Sequence, residues 1–103
     1  MARKTADRYR LSPAAENDLA GIWRYSAETW SVDQADTYLR DLDKRLHDLC
    51  RNPEVARERT EVSPAVRLYP YRSHLIIYRV EGDWVSVLRV VHNRRNWEAL
   101  LGD

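Results

Sequence analysis

The sequence predicts an α+β domain in which an antiparallel helical hairpin packs on one face of a small, mainly antiparallel sheet, in the order β-α-α-β-β-β. Three observations predict it. Leu75–Val80 and Trp84–Val91 are β-rich runs separated by Glu81-Gly82-Asp83, the pattern of a tight antiparallel hairpin. Two capped stretches with apolar residues at helical spacing precede that hairpin, with only one or two residues between them. At 103 residues the chain is long enough for one core but not for two, so helices and strands must share it.

Taken in order, Met1 to Arg8 is basic and polar and reads as a flexible tail, leaving residues 9–103 as a single domain. Tyr9-Arg10-Leu11 is a short strand that stops at Ser12-Pro13. Ser12 suits a helix cap and Pro13 the first helical turn, where a missing N–H is no loss. Ala15, Leu19, Ile22, Trp23, Ser26 and Trp30 then recur at helical spacing. Gly21 weakens this helix by roughly 1 kcal/mol relative to Ala and would let another backbone come close. Ser31-Val32-Asp33-Gln34 is a capping box that opens a second helix, with Ala35, Tyr38, Leu39, Leu42, Leu46, Leu49 and Cys50 as its stripe. Pro53 disfavours a helical Asn52 and stops it near Arg51.

Residues 52–66 carry two prolines, mixed charge and little periodicity, and read as a surface connection ending at Ser63-Pro64. Arg67-Leu68-Tyr69 is a further strand, broken by Pro70 and turned through Tyr71-Arg72-Ser73 into the hairpin. If Gly82-Asp83 is the hairpin loop, Val80 faces Val85, Tyr78 faces Val87 and Ile76 faces Arg89. One hairpin face then carries Ile76, Tyr78, Val80, Val85, Val87 and Val91, and the other Leu75, Ile77, Trp84, Leu88 and Val90. A hairpin apolar on both sides needs helices over one face, and the other partly covered or offered to a partner. After His92, Trp97–Gly102 is able to form one or two helical turns, a short C-terminal helix.

Seventeen Lys and Arg against sixteen Asp and Glu give a net charge of +1, so the whole-molecule field does not steer the chain to nucleic acid. The charge is unevenly placed: residues 13–54 hold five basic and nine acidic side chains, and residues 57–95 hold eight basic and four acidic. The molecule is expected to be electrically two-sided, positive on the sheet. A lone Cys50 makes no internal disulfide, and no apolar run reaches the length of a signal core or membrane span. A cytoplasmic protein with no membrane partner is the expectation.

No Cys/His spacing suits zinc, no glycine-rich loop suits phosphate and no serine sits in a nucleophile elbow, so neither metal nor cofactor is expected. The polar residues on or beside the sheet are Arg67, Tyr71, Arg72, His74, Tyr78, Arg89, His92, Arg94 and Arg95. Arginine beside histidine could serve phosphoryl chemistry, one stabilising an oxyanion and the other moving a proton. The competing account is structural: His74 and Arg89 bond carbonyls or an acidic partner, and Tyr78 is core with its hydroxyl at the edge. Arg94 and Arg95 are either a solvated turn or, beside Trp97, part of an interface.

Leu11-Ser12-Pro13-Ala14-Ala15 with Asp18-Leu19 and Ile22, then Trp30-Ser31 with Gln34-Ala35, Tyr38 and Leu42, resemble the two helices of the ParE branch of the RelE/ParE toxin superfamily. Arg67, His74-Leu75-Ile76-Ile77-Tyr78 and Leu88-Arg89-Val90-Val91-His92-Asn93-Arg94-Arg95 resemble its arginine, its histidine-to-tyrosine strand and its closing run. The similarity spans about residues 9 to 97. The chain departs from the family at Ala56 and Ala65, where glycine is common, and this bears on the path of the 52–66 loop.

The resemblance implies the toxin of a bacterial type II toxin–antitoxin system, with a role in plasmid stabilisation. It would be paired in a hetero-oligomer with a ParD-like antitoxin and directed at DNA gyrase. The alternative is a ribosome-dependent mRNA endonuclease of the RelE type. A nuclease needs basic and proton-transferring groups on an open sheet face, whereas Leu75, Ile77, Leu88 and Val90 make one face apolar. A non-catalytic inhibitor without direct nucleic-acid binding is therefore favoured. The residues assigned to the target are Arg89, His92, Arg94, Arg95 and Trp97, because arginine and tryptophan are frequent interface anchors. Those assigned to the antitoxin are Arg67, Arg72, His74, Leu75 and Ile77, through helix-in-groove docking and strand addition.

Overall fold

The computed structural model describes residues 8–101. Of the expected N-terminal tail, residues 1–7 lie outside that range, and Arg8 opens the first strand. Strand β1 (Arg8–Leu11) leads into helix α1 (Pro13–Thr29), which is followed directly by α2 (Val32–Arg51). Strands β2 (Glu58–Arg59), β3 (Val66–Tyr71), β4 (His74–Glu81) and β5 (Trp84–His92) come next, and α3 (Trp97–Leu101) closes the described chain. The sheet order is β1-β5-β4-β3-β2. β1 runs parallel to β5 and the other pairs are antiparallel; the helical hairpin carries the chain from the β1 edge of the sheet to the β2 edge, and β3 and β4 then lead back to β5 beside β1.

Both caps form where the sequence places them. The Ser12 hydroxyl oxygen accepts the Ala15 N–H at 3.0 Å and the hydroxyl donates to the Leu88 carbonyl at 2.7 Å, so one side chain starts α1 and ties it to β5. Ser31 accepts the Gln34 N–H at 3.0 Å, the forward half of the predicted capping box. Trp23 on α1 donates its indole N–H to Asp36 of α2 at 2.8 Å. The stripe of α2 is buried at Ala35, Leu42, Leu46, Leu49 and Cys50. It meets Ile76, Tyr78, Val87 and Val90 of the sheet.

The opposite sheet face holds a second apolar cluster. Val66, Ile77 and Val91 are buried there beneath Val62 of the loop and Trp97, Leu100 and Leu101 of α3. Helix α3 thus partly covers the second face, the first of the two outcomes that the sequence allowed for it.

Three sequence expectations are corrected, and the first is that β3 does not break at Pro70 but runs through it to Tyr71. Tyr78 pairs with Val87, but Ile77 pairs with Arg89, so Leu88 is an extra residue in β5 and the pairing slips by one. Ile76 faces Val90, not Arg89, and Val90 and Val91 exchange faces: Val90 joins the helix side and Val91 the far side. A one-residue bulge has this effect because side chains alternate with period two. The connection from 52 to 66 also contains β2, which pairs Glu58 with Arg67 and Arg59 with Val66. Its path is held from below, since the buried Tyr78 hydroxyl donates to the Pro53 carbonyl at 2.7 Å and the Arg67 guanidinium donates to the Ala56 carbonyl. Among the described residues, no helix is long and apolar enough to cross a membrane.

Candidate functional site: a cleft beside the helical hairpin

A cleft of about 910 Å³ opens between α1, the start of α2, the β3–β4 turn and the end of β5. Its long wall is α1, where Gly21, Ile22, Tyr25, Ser26 and the helix-ending Trp30 succeed one another. The sequence put Trp30 in the buried stripe of α1. Helix α1 ends at Thr29, and Trp30 is instead 66% exposed, with Tyr25 at 67%. Among the described residues, these are two of the four large apolar side chains that the fold leaves in solvent. A Cβ placed on Gly21 would meet nothing within 4 Å, so no neighbour in the described chain requires glycine there.

The other end of the cleft is basic. Arg72, His74, His92 and Arg95 line it. The His74 Nδ1 lies 2.6 Å from the Tyr38 hydroxyl, and the His74 and His92 rings stand edge to face with centroids 5.7 Å apart. The pKa of His74 is pushed down, chiefly by burial and then by His92, with Asp18 pulling the other way. The His92 Nδ1 accepts the backbone N–H of Arg94 at 3.2 Å, which leaves its Nε2 to carry the proton of the neutral ring. Arg72 sits at the first position of a two-residue turn with φ 53, a left-handed conformation that costs a non-glycine residue about 1 kcal/mol. It lies over the rings of Tyr38 and Tyr71 and pairs with Asp41 at 3.3 Å, contacts that hold it there.

The assigned site residues divide accordingly. Arg72 and His74, expected to meet the antitoxin, and His92 and Arg95, expected to meet the target, share one end of one cleft. Arg89 is engaged internally: its Nε and an Nη donate to the two Asp18 oxygens at 2.7 and 2.9 Å, and Asp18 also accepts the Val90 N–H. That clamp fixes α1 on β5 and raises the Arg89 pKa, first through the hydrogen bonds to Asp18. Arg67 is 15% exposed and lies within 3.8 Å of Glu54, on the loop side of the sheet. Ile77 is buried in the far-side cluster and Leu75 pairs with Val91 at its margin. Trp97 belongs to that same cluster, with the Arg59 guanidinium 5.3 Å above its ring, and Arg94 is exposed in the turn after β5.

Tyr25, Trp30, Gln34 and Tyr38 line the cleft and were not assigned to it. Ile22, Ser26 and Trp30 at i, i+4 and i+8 carried a signal, but spacing alone does not tell a core stripe from a groove wall. Among the described residues, no three His, Cys, Asp or Glu side chains gather as a metal site.

The fold and site together define a small α+β domain with a helical hairpin on one sheet face and a partly apolar, partly basic cleft beside it. The family model described as the ParE toxin of type II toxin-antitoxin system, parDE, matches residues 9–97. Toxin ParE1 of Mycobacterium tuberculosis strain H37Rv is 40% identical over 90 residues, 86% of this chain and 92% of the relative. Toxin ParE1 of Caulobacter vibrioides is 36% identical over 94 residues, 91% and 97% of the two chains. A chain of the solved structure described as the chromosomal ParDE TA system from P. aeruginosa shares the fold at a TM-score of 0.72, with 18% identity, 85% of this chain and 96% of that one covered. The chain belongs to the ParE toxin family of type II toxin–antitoxin systems.

Proposed function

We propose that this toxin inhibits growth by binding a protein target, DNA gyrase, and that a ParD-like antitoxin neutralises it by laying an amphipathic segment in the cleft. One observation carries the reading: Tyr25 and Trp30 stand exposed on the apolar wall of a cleft whose other end holds four basic or imidazole side chains. An amphipathic helix fits such a groove through apolar residues at i, i+3 and i+4. Because Arg72 and His74 adjoin His92 and Arg95, an antitoxin seated there also covers residues assigned to the target, and neutralisation by masking follows.

The cluster of His74, His92, Tyr38, Arg72 and Arg95 keeps the endonuclease as a second reading, since it combines proton-transferring and cationic groups. The opposite wall speaks against it. The α1 residues that line the cleft include Asp18 and no Lys or Arg, whereas an RNA strand needs cations along its path. Controlled expression with parallel assays of DNA supercoiling and transcript integrity separates the two. The expected result is lost supercoiling with intact transcripts. Mapped transcript cuts that disappear in a folded His92→Gln variant would establish the nuclease instead.

A further inference from the structure

We propose that the basic end of the cleft, formed by Arg72, His74, His92 and Arg95, is a receptor for one carboxylate, supplied by an Asp or Glu of the antitoxin segment that lies along the α1 wall. The inference rests on the antitoxin reading above and adds the contact that fixes the segment's position and direction. The argument is one of charge. Asp18, the carboxylate on the α1 wall of the cleft, is matched by the two hydrogen bonds from Arg89 and one from the Val90 N–H. Asp41 matches Arg72 in part, at 3.3 Å with both side chains substantially exposed. Arg95 has no side-chain partner among the described residues, and neither does the Nε2 of His92, whose Nδ1 is taken by the Arg94 N–H. The corner therefore presents one unmatched guanidinium, one half-matched guanidinium and an imidazole N–H donor, with only the compensated Asp18 beside them.

A carboxylate fits this set because it accepts several hydrogen bonds at once and guanidinium binds it in a two-pronged fashion. An acidic side chain at one end of an otherwise apolar helix face would reach the corner while its apolar residues meet Ile22, Tyr25 and Trp30. A phosphate has the same local chemistry, but nucleic acid would continue along the cleft past Asp18, where the α1 residues that line it include no Lys or Arg.

Arg95→Glu is the informative variant, because the side chain is exposed and its loss leaves no described contact broken. Arg72→Gly serves as the second, since glycine suits the left-handed turn and removes the other guanidinium. Affinity for the antitoxin expressed from the neighbouring reading frame is measured by calorimetry, with Arg51→Ala/Arg57→Ala as a control that removes two charges outside the cleft. The expected result is a loss of about tenfold or more for each cleft variant and about twofold or less for the control. One Asp→Lys or Glu→Lys change in the antitoxin should restore binding to Arg95→Glu and weaken binding to the parent. Undiminished affinity of both cleft variants, or losses that no single charge reversal restores, would overturn the carboxylate receptor while leaving the antitoxin reading intact. A parent chain that fails to bind the antitoxin would overturn both. Binding of a single-stranded oligouridylate that is lost with Arg95→Glu would also overturn the proposal and assign the corner to phosphate.

Discussion

Asp18 accepts three hydrogen bonds, two from Arg89 and one from the Val90 N–H, in a pair whose side chains are 14% and 24% exposed. Asp18→Asn removes the counter-charge and leaves the guanidinium half-enclosed, so unfolding free energy should fall by about 2 kcal/mol. An unchanged urea midpoint would show that the clamp does not bear on stability. Gly21→Ala tests the other wall. The added methyl meets nothing in the described chain, so the free toxin should gain about 1 kcal/mol from helix propensity, read as a raised midpoint. Antitoxin affinity should drop at the same time if a partner backbone approaches that position. For His74 the sign follows from burial. Its folded pKa lies below the ordinary 6.5, so the unfolded chain takes up a proton first as pH falls. The stability contributed by neutral His74 is complete above pH 6.5 and is lost as pH drops through the folded value. Urea unfolding at pH 7.5, 6.5 and 5.5 should show a decline that is shallower in His74→Gln; identical slopes would mean that burial and His92 do not hold the ring neutral against the pull of Asp18. Arg89 and Asp18 were both visible in the sequence. Their pairing was not, because it depends on how α1 lies across β5.

Among the elements, the helices and the β4–β5 hairpin were legible because caps, spacing and the Gly82-Asp83 turn agreed with one another. The bulge at Leu88 was hidden: Leu88, Val90 and Val91 are all strand formers, and nothing in a run of such residues marks which one the ladder skips. β2 was hidden too, since two charged residues carry no period and its pairing comes from Arg67 and Tyr78 holding the loop. Helix α3 was legible as a helix but not as a cover, because five residues give no second turn to show which side is buried. Trp97→Ala should cost about 2 kcal/mol, as expected for a large aromatic side chain that is partly buried. Removing residues 96–103 should go further, uncovering Ile77, Leu88 and Val91 and raising the binding of a hydrophobic dye. Antitoxin binding at the cleft on the helix side should persist in the truncated chain if it folds. A truncation that changes neither dye binding nor stability would show that α3 does not protect the sheet.

At the scale of the whole molecule, the helices carry excess acid and the strands excess base, yet the cleft joins both, with Asp18 on one wall and Arg95 on the other. Composition located the charge on segments. Only the fold brings Arg72 and Arg95, 23 positions apart in sequence, to the same end of a groove. A partner that fills the groove binds the folded state alone, so the complex should unfold later than the free toxin, by about 2.7 kcal/mol when free antitoxin is at one hundred times its dissociation constant. Equal melting temperatures for toxin and complex would contradict docking in the cleft. Association should also slow as salt rises, because the corner's charges are exposed to solvent and are screened.

The parallel seam between β1 and β5 has a consequence for synthesis. Arg10 donates to Ser86, and Ser12 to Leu88, across 76 residues, so β1 has no sheet neighbour until β5 has been made. Until then α1 lacks the Leu88 carbonyl that Ser12 grips and the Arg89 that clamps Asp18, and the cleft has only one wall. A message cut short before the codons for β5 should therefore yield a chain with no assembled cleft, open to proteases. Nascent chains arrested at Asp83 should be digested quickly, whereas chains with residues 1–103 fully outside the exit tunnel should resist.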